Sequence, residues 1–163
     1  MNFTTHYDSP LGRITLASDG SALTGLWFDG QRHFGGRQGA LCSTSVGLPV
    51  FAETRRWLDR YFSGCGPDFT PPLSLQGTPF QQRVWESLLA IPYGATVSYG
   101  ELARRLGIRS AQAVGGAVGR NPVSLVVPCH RVVGADGALT GYAAGLDRKQ
   151  ALLQLEQKIY FAR

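Results

Sequence analysis

Long apolar runs are missing from this 163-residue chain: no stretch approaches a membrane span, which takes about 18 consecutive apolar residues. The opening Met1-Asn2-Phe3-Thr4-Thr5-His6 lacks the basic-then-apolar pattern of a secretory leader. Cysteine is scarce as well. Cys42, Cys65 and Cys129 are an odd count and stand far apart, so they make no disulfide framework. With no targeting pattern, that usage predicts a cytoplasmic protein with free thiols and no membrane partner. A metal is not expected either: Cys129 and His130 as nearest neighbours lack the spacing of a metal site, and the other two cysteines stand alone.

What the chain does have is enough apolar content, 44%, to bury a core in one medium domain or two small ones. Charge divides it. Residues 1–75 carry six Arg and six Asp/Glu, whereas residues 76–163 carry ten Lys/Arg and five Asp/Glu, so the whole +5 excess lies in the second half. A basic balance suits a phosphate-rich partner, because neutralised phosphates release counterions, but a solvated surface accounts for it equally.

The first half reads as a small α/β unit. Alternating or apolar runs at 3–7, 13–17 and 22–28, separated by Ser9-Pro10-Leu11-Gly12 and Asp19-Gly20, predict three short antiparallel strands. Residues 29–48 read as loop. A helix over 50–62 gathers Phe51, Trp57, Leu58, Tyr61 and Phe62 near one face and ends at Gly64. No catalytic constellation appears here, so a structural or interface role is expected, with His6 and His33 as ordinary histidines.

The second half opens with Thr78-Pro79-Phe80-Gln81, a capping box with proline at the first helical position, predicting a helix to about residue 90. Ser98 with Glu101 predicts a second box and a short helix through Leu106. A turn at Gly107 and another helix over 110–119 complete a helix-turn-helix pattern. That last helix is smooth, with Ala111, Ala113, Gly115, Gly116, Ala117 and Gly119. Each interior glycine costs about 1 kcal/mol relative to alanine, so something must approach the backbone closely. Tight core packing is one candidate; the other is DNA bound without base readout, with Arg104, Arg105, Arg109 and Arg120 on phosphates.

The chemistry centres on Pro128-Cys129-His130-Arg131-Val132, where a cysteine adjoins a histidine between apolar runs. A thiol of ordinary acidity is mostly protonated at neutral pH, so a nucleophilic Cys129 would need a base; an inert buried thiol is the other reading. The flanking runs predict a buried strand into and out of a tight turn. Adjacent strand residues face opposite ways, so His130 would serve Cys129 through a water unless Pro128 breaks the strand.

These segments together resemble the O6-alkylguanine-DNA alkyltransferases, which move the alkyl group of a damaged guanine onto their own cysteine. The resemblance runs through Gly77-Thr78-Pro79-Phe80-Gln81-Gln82-Arg83-Val84-Trp85, Ile91-Pro92-Tyr93-Gly94, Ser98-Tyr99-Gly100-Glu101-Leu102-Ala103, Ala113-Val114-Gly115, Asn121-Pro122, the Cys129 motif and Thr140-Gly141-Tyr142; in the first half it rests on Asp8-Ser9-Pro10-Leu11-Gly12. It implies an α+β protein: a small α/β N-terminal domain with a short antiparallel sheet, residues 1–76, and a mostly helical domain, 77–163, bearing helix-turn-helix and the active cysteine.

By the same resemblance Cys129 is the alkyl acceptor, His130 its base through a bound water, Glu156 the carboxylate that holds the imidazole, and Asn121 the hinge residue beside the cysteine. Glu156 follows Leu152 by four residues, so a helix turns it to the apolar face, where a carboxylate needs a partner. Tyr99, Tyr142, Val132 and Ala143 are implied to bind the base. Ala111, Gln112, Ala113, Gly115, Arg109 and Arg120 are implied to bind double-stranded DNA carrying alkylated guanine. The lesion must be rotated out of the stack to reach the thiol. The implied protein works once, as a monomer without cofactor, and takes O4-alkylthymine too.

Two residues depart from the family pattern. Gln112 stands where an arginine usually inserts into the base stack, in a turn one residue shorter, and Ala144 stands where glycine is common. Competing functions are a lesion-binding relative with little transfer, which would replace the cysteine, and a Cys-His hydrolase, for which no oxyanion site is evident.

Overall fold

The computed structural model describes residues 2–32, 34, 35, 41–43 and 47–161, the side chains of 41–43 and 158–161 excepted. Three strands open it: β1 (Asn2–Ser9), β2 (Gly12–Ser18) and β3 (Leu23–Phe28). β1 and β2 form a hairpin from Phe3↔Ser18 to Ser9↔Gly12, and β3 continues the antiparallel sheet with Ile14↔Phe28 and Leu16↔Leu26. The hairpin turn is fixed by Ser9, whose hydroxyl donates to the Gly12 carbonyl (2.6 Å) and accepts from the Leu11 N–H (3.1 Å). Gly12 sits at φ +119°, a conformation that favours glycine, and its α-carbon lies close under the Arg148 guanidinium.

The stretch expected to be loop contains one strand. β4 (Leu41–Ser43) pairs parallel to β1, giving the sheet order β3-β2-β1-β4. Three residues are too few to display alternation, and the pairing comes from the far edge of β1 rather than from a local turn. His33 lies outside the described residues.

α1 (Pro49–Ser63) has proline at its start and ends on Gly64 in the left-handed conformation, whose N–H reaches the carbonyls of Arg60 and Tyr61. Val50, Phe51, Thr54, Trp57, Leu58 and Tyr61 recur at helical spacing and are buried. The second half contains α2 (Pro79–Leu88), α3 (Tyr99–Leu106), α4 (Ala111–Gly119) and α5 (Leu146–Phe161), with a two-stranded parallel ladder of β5 (Val97–Ser98) and β6 (Val132–Val133). Both arms of the expected capping box form at Thr78–Gln81. At Ser98 only one forms: its hydroxyl accepts from the Glu101 N–H (3.0 Å), while the Glu101 carboxylate turns outward to Arg104 and Arg105. Two cations four or fewer residues ahead compete successfully with the cap.

The halves are stitched at the outer edge of β3. Leu26 exchanges bonds with Pro122 and Ser124 of the second half at 2.9–3.0 Å, while Leu23 on the same edge pairs with Pro72 and Ser74 of its own half at 2.7–3.0 Å. Leu26, Tyr61, Val84, Trp85, Val114, Val123, Val127 and Leu152 thereby join one continuous apolar cluster. Among the described residues, no helix is long and apolar enough to cross a membrane.

Candidate active site

Asn121 builds the approach to Cys129. Its amide donates to the Val127 carbonyl (2.7 Å) and its oxygen accepts from the Val123 N–H (3.0 Å), so one buried side chain closes the loop between them. Leu125, at φ +71°, supplies the bend. The expected strand before the cysteine is therefore absent: the apolar run is a turn whose backbone groups bond to Asn121 and to each other. Only β6, after the cysteine, is extended. Pro128 then leads into a single 3-10 turn over Cys129–Arg131, with the Arg131 N–H on the Pro128 carbonyl (3.0 Å). Cys129 is 6% exposed. Burial pushes its thiol pKa up, against the Asn121 side chain and the Lys149 charge, so the resting group is a thiol and its nucleophilic form requires a base.

Behind the thiol lies a dry cluster. His130 and Glu156 are fully buried, with Nε2 2.5 Å from Oε2. Glu156 stands on the apolar face of α5 beside Leu152, as its spacing predicts. Four groups donate to its carboxylate: His130 Nε2 and Tyr61 Oη (2.6 Å) to Oε2, Arg131 Nε (2.8 Å) and the Gly94 N–H (3.0 Å) to Oε1. Burial pushes the carboxyl pKa up, yet His130 and Arg131 hold it down at about 2. An ionised carboxylate only accepts, so His130 carries its proton on Nε2. Nδ1 is left as the acceptor, and it is buried with no partner among the described residues. Burial lowers the His130 pKa, and the charges of Arg131 and Lys149 add to that, leaving it neutral at rest.

In front of the thiol opens a cavity of about 310 Å³. Seven of the site residues implied by the resemblance line it: Tyr99, Gly115, Arg120, Asn121, Cys129, Tyr142 and Ala143. Tyr99 donates to the Thr140 carbonyl at 3.4 Å, and burial raises the pKa of its hydroxyl and that of Tyr142, keeping both as donors. Val132 does not line the cavity; it is buried beneath, its carbonyl accepting from Lys149 Nζ (2.6 Å). Ala111, Gln112 and Ala113 lie exposed on the first turn of α4, with Arg109 exposed just before them and Arg120 exposed after its end. No ion pair involves either arginine among the described residues, whereas Arg104 and Arg105 are engaged by Glu101.

The smooth helix can now be weighed against core packing. A Cβ added at Gly116 or Gly119 would meet nothing within 4 Å, so the protein itself does not demand glycine there. At Gly115 it would meet Tyr99 at 3.6 Å, an ordinary contact. The inner side of α4 is held separately, by Trp85 Nε1 on the Ala117 carbonyl (2.8 Å).

Four residues of the site had no functional reading in the sequence: Tyr61, seen there only as a core aromatic, Arg131, Lys149 and Arg32. Lys149 is fully buried, its ammonium donating to the carbonyls of Val132, Thr140 and Gly141, and burial drops its pKa to about 8. Its signal was available, since Lys149, Leu152 and Glu156 share one face of α5. Arg32 lines the cavity mouth, and its N–H donates to the Ala143 carbonyl (3.0 Å). Arg148 bonds both the carbonyl of buried Ala144, next in the chain to the cavity-lining Ala143 (3.2 Å), and that of Leu11 in the first hairpin (3.0 Å). Among the described residues no cluster of three or more His, Cys, Asp or Glu converges as metal donors would.

Residues 79–158 match the model of the 6-O-methylguanine DNA methyltransferase DNA-binding domain, and residues 2–75 that of the same family's ribonuclease-like domain. The methylated-DNA–protein-cysteine methyltransferase of Mycobacterium leprae is 50% identical over 92% of this chain and 89% of its own. That of Haemophilus influenzae is 42% identical over 96% and 87%. The crystal structure of Mycobacterium tuberculosis OGT in complex with DNA superposes with a TM-score of 0.84 at 45% identity, covering 97% of this chain and 93% of that one.

Proposed function

The chain belongs to the 6-O-methylguanine DNA methyltransferase family, and on that premise we infer that it repairs DNA by moving the alkyl group of O6-alkylguanine onto its own Cys129. The observation that carries the assignment of Cys129 is its position at the end of the cavity, backed by a buried histidine whose one unpartnered nitrogen is the basic one.

The thiol proton passes to His130 Nδ1 through a water, since that nitrogen has no partner among the described residues. The sulfur attacks the alkyl carbon, a C–S bond forms, and the C–O6 bond breaks with its electron pair going to the base. The departing guanine anion takes up one proton, which leaves the overall charge unchanged. Tyr99, a neutral phenol, donates a hydrogen bond to that anion, and Tyr142 and Ala143 wall the base. Glu156 acts through His130 and is a positioning residue. Because the product is an unreactive thioether, each molecule works once.

Gly115, Gly116 and Gly119 let α4 approach the duplex closely, Ala111 and Ala113 keep its first turn low, Arg109 and Arg120 take phosphates, and Gln112 fills the gap left by the flipped base. O4-alkylthymine is a second substrate. We place the domain boundary after residue 76, and the protein in the cytoplasm as a monomer that needs no cofactor.

Mass spectrometry after incubation with a duplex containing one O6-methylguanine tests this. The wild type gains one methyl group at Cys129, and Cys129→Ser gains none while still binding the duplex. Methylation mapped to Cys42 or Cys65 overturns the assignment.

A further inference from the structure

We propose that Tyr61, on α1 of the N-terminal half, is a positioning residue of the alkyl-transfer site that sets the basicity of His130 by sharing the Glu156 oxygen on which that histidine rests. The proposal builds on the reading of Cys129 and His130 given above.

Tyr61 is fully buried, and its single hydroxyl proton is directed to Glu156 Oε2 at 2.6 Å. The same oxygen receives His130 Nε2 at 2.5 Å, and the phenol oxygen lies 3.4 Å from that nitrogen. The Tyr61 ring stands edge-on to the imidazole, 6.3 Å between centroids, and is held by stacking on Trp57 and an edge contact with Tyr93. A buried phenol could have been left to an apolar phenylalanine; here it is aimed at the one oxygen that governs the base.

Two donors on one carboxylate oxygen compete for its charge. Each bond that Tyr61 makes weakens the attraction Glu156 exerts on a proton added to His130, and so lowers the imidazole's basicity. Glu156 and Lys149 from α5, Tyr142 from the preceding loop, and Arg131 and Cys129 from the turn itself also face His130. Apart from Glu156 itself, none of these is bonded at Oε2, Arg131 being on Oε1. Tyr61 keeps its proton, because burial and the Glu156 charge push its pKa well up, so it remains a donor throughout the working range.

Removing the hydroxyl should therefore strengthen the pull of Glu156 and make His130 easier to protonate. Since neutral His130 is the active form, the acid limb of the transfer rate should move to higher pH. The test measures the second-order rate of methyl transfer against pH for wild type, Tyr61→Phe, and protein carrying 3,5-difluorotyrosine at 61. Tyr61→Phe is expected to raise the acid-limb midpoint by on the order of half a pH unit. Difluorotyrosine, a stronger donor of the same shape, is expected to lower it. A limb that stays in place in both, with the rate merely scaled at every pH, overturns the proposal, as does a shift of the same sign in both. Wild-type protein that transfers no methyl to Cys129 would instead overturn the functional reading beneath it.

Discussion

The site has two ends of opposite character. Behind Cys129, the buried carboxylate of Glu156 accepts from four donors, and the histidine it holds has only Nδ1 without a partner among the described residues. In front, the cavity rim exposes Arg120 and glycines with open space over them. The dry end holds its base in one tautomer with the protein's own groups. The rim is incomplete by itself, as a surface that receives a polyanion must be. Substitutions at the dry end should alter stability and pH response for every substrate, whereas those at the rim should alter only what depends on duplex DNA.

The largest effect is expected at Glu156. Glu156→Gln removes the charge that compensates buried Arg131, and breaking such a pair costs about 3–5 kcal/mol, read by denaturant unfolding; unchanged stability would show that the dry end does not hold the fold. Acid should act on the same cluster. The Glu156 pKa is depressed to about 2 from 4.5, so its contribution is fully present above 4.5 and lost as pH falls towards 2. His130, whose pKa is also lowered from 6.5, stays neutral in the folded state while the unfolded chain takes up protons. Stability should therefore already decline below about pH 6.5. Unfolding free energies flat from pH 7 to 5 would contradict this.

At the rim the effects are smaller and selective. Gly116→Glu, into open space, should leave the melting temperature unchanged but weaken duplex binding about tenfold, or ~1.4 kcal/mol, and leave reaction with free O6-methylguanine intact. Binding that survives, or is insensitive to salt, would remove α4 from the DNA surface. Smallest is Gln112→Arg, which should speed duplex repair about two- to fivefold, matching the ~0.5–1 kcal/mol of an exposed cation–π contact. Equal acceleration on the free base would show that position 112 plays no part in extrusion.

The same contrast governs what could be read from the sequence. Helices α1 to α4 and strands β1 to β3 were legible because alternation, caps and glycine stops act over a few residues. The segment before Cys129 was not, because its apolar run looks like a strand while the Asn121 side chain, up to six residues back, makes it a turn. Resemblance to the alkyltransferases supplied Cys129, His130, Glu156 and Asn121. It left out Tyr61, whose partner Glu156 lies 95 residues on, and Lys149, which reads as an ordinary solvated lysine until its shared face with Leu152 and Glu156 is noticed. The N-terminal half offered no chemistry in its residue pattern because it brings to the site isolated groups, Arg32 at the cavity and the Tyr61 phenol, the latter inseparable in sequence from the core aromatics around it.

The most direct measurement is stoichiometry. With a tenfold excess of duplex lesions and a long incubation, the number of methyl groups transferred per molecule, followed by peptide mapping, should level off at one, on the peptide containing Cys129. A second round of lesions repaired by the same molecules, or a plateau at one with the methyl group elsewhere, would contradict a mechanism in which this thiol is both nucleophile and final acceptor.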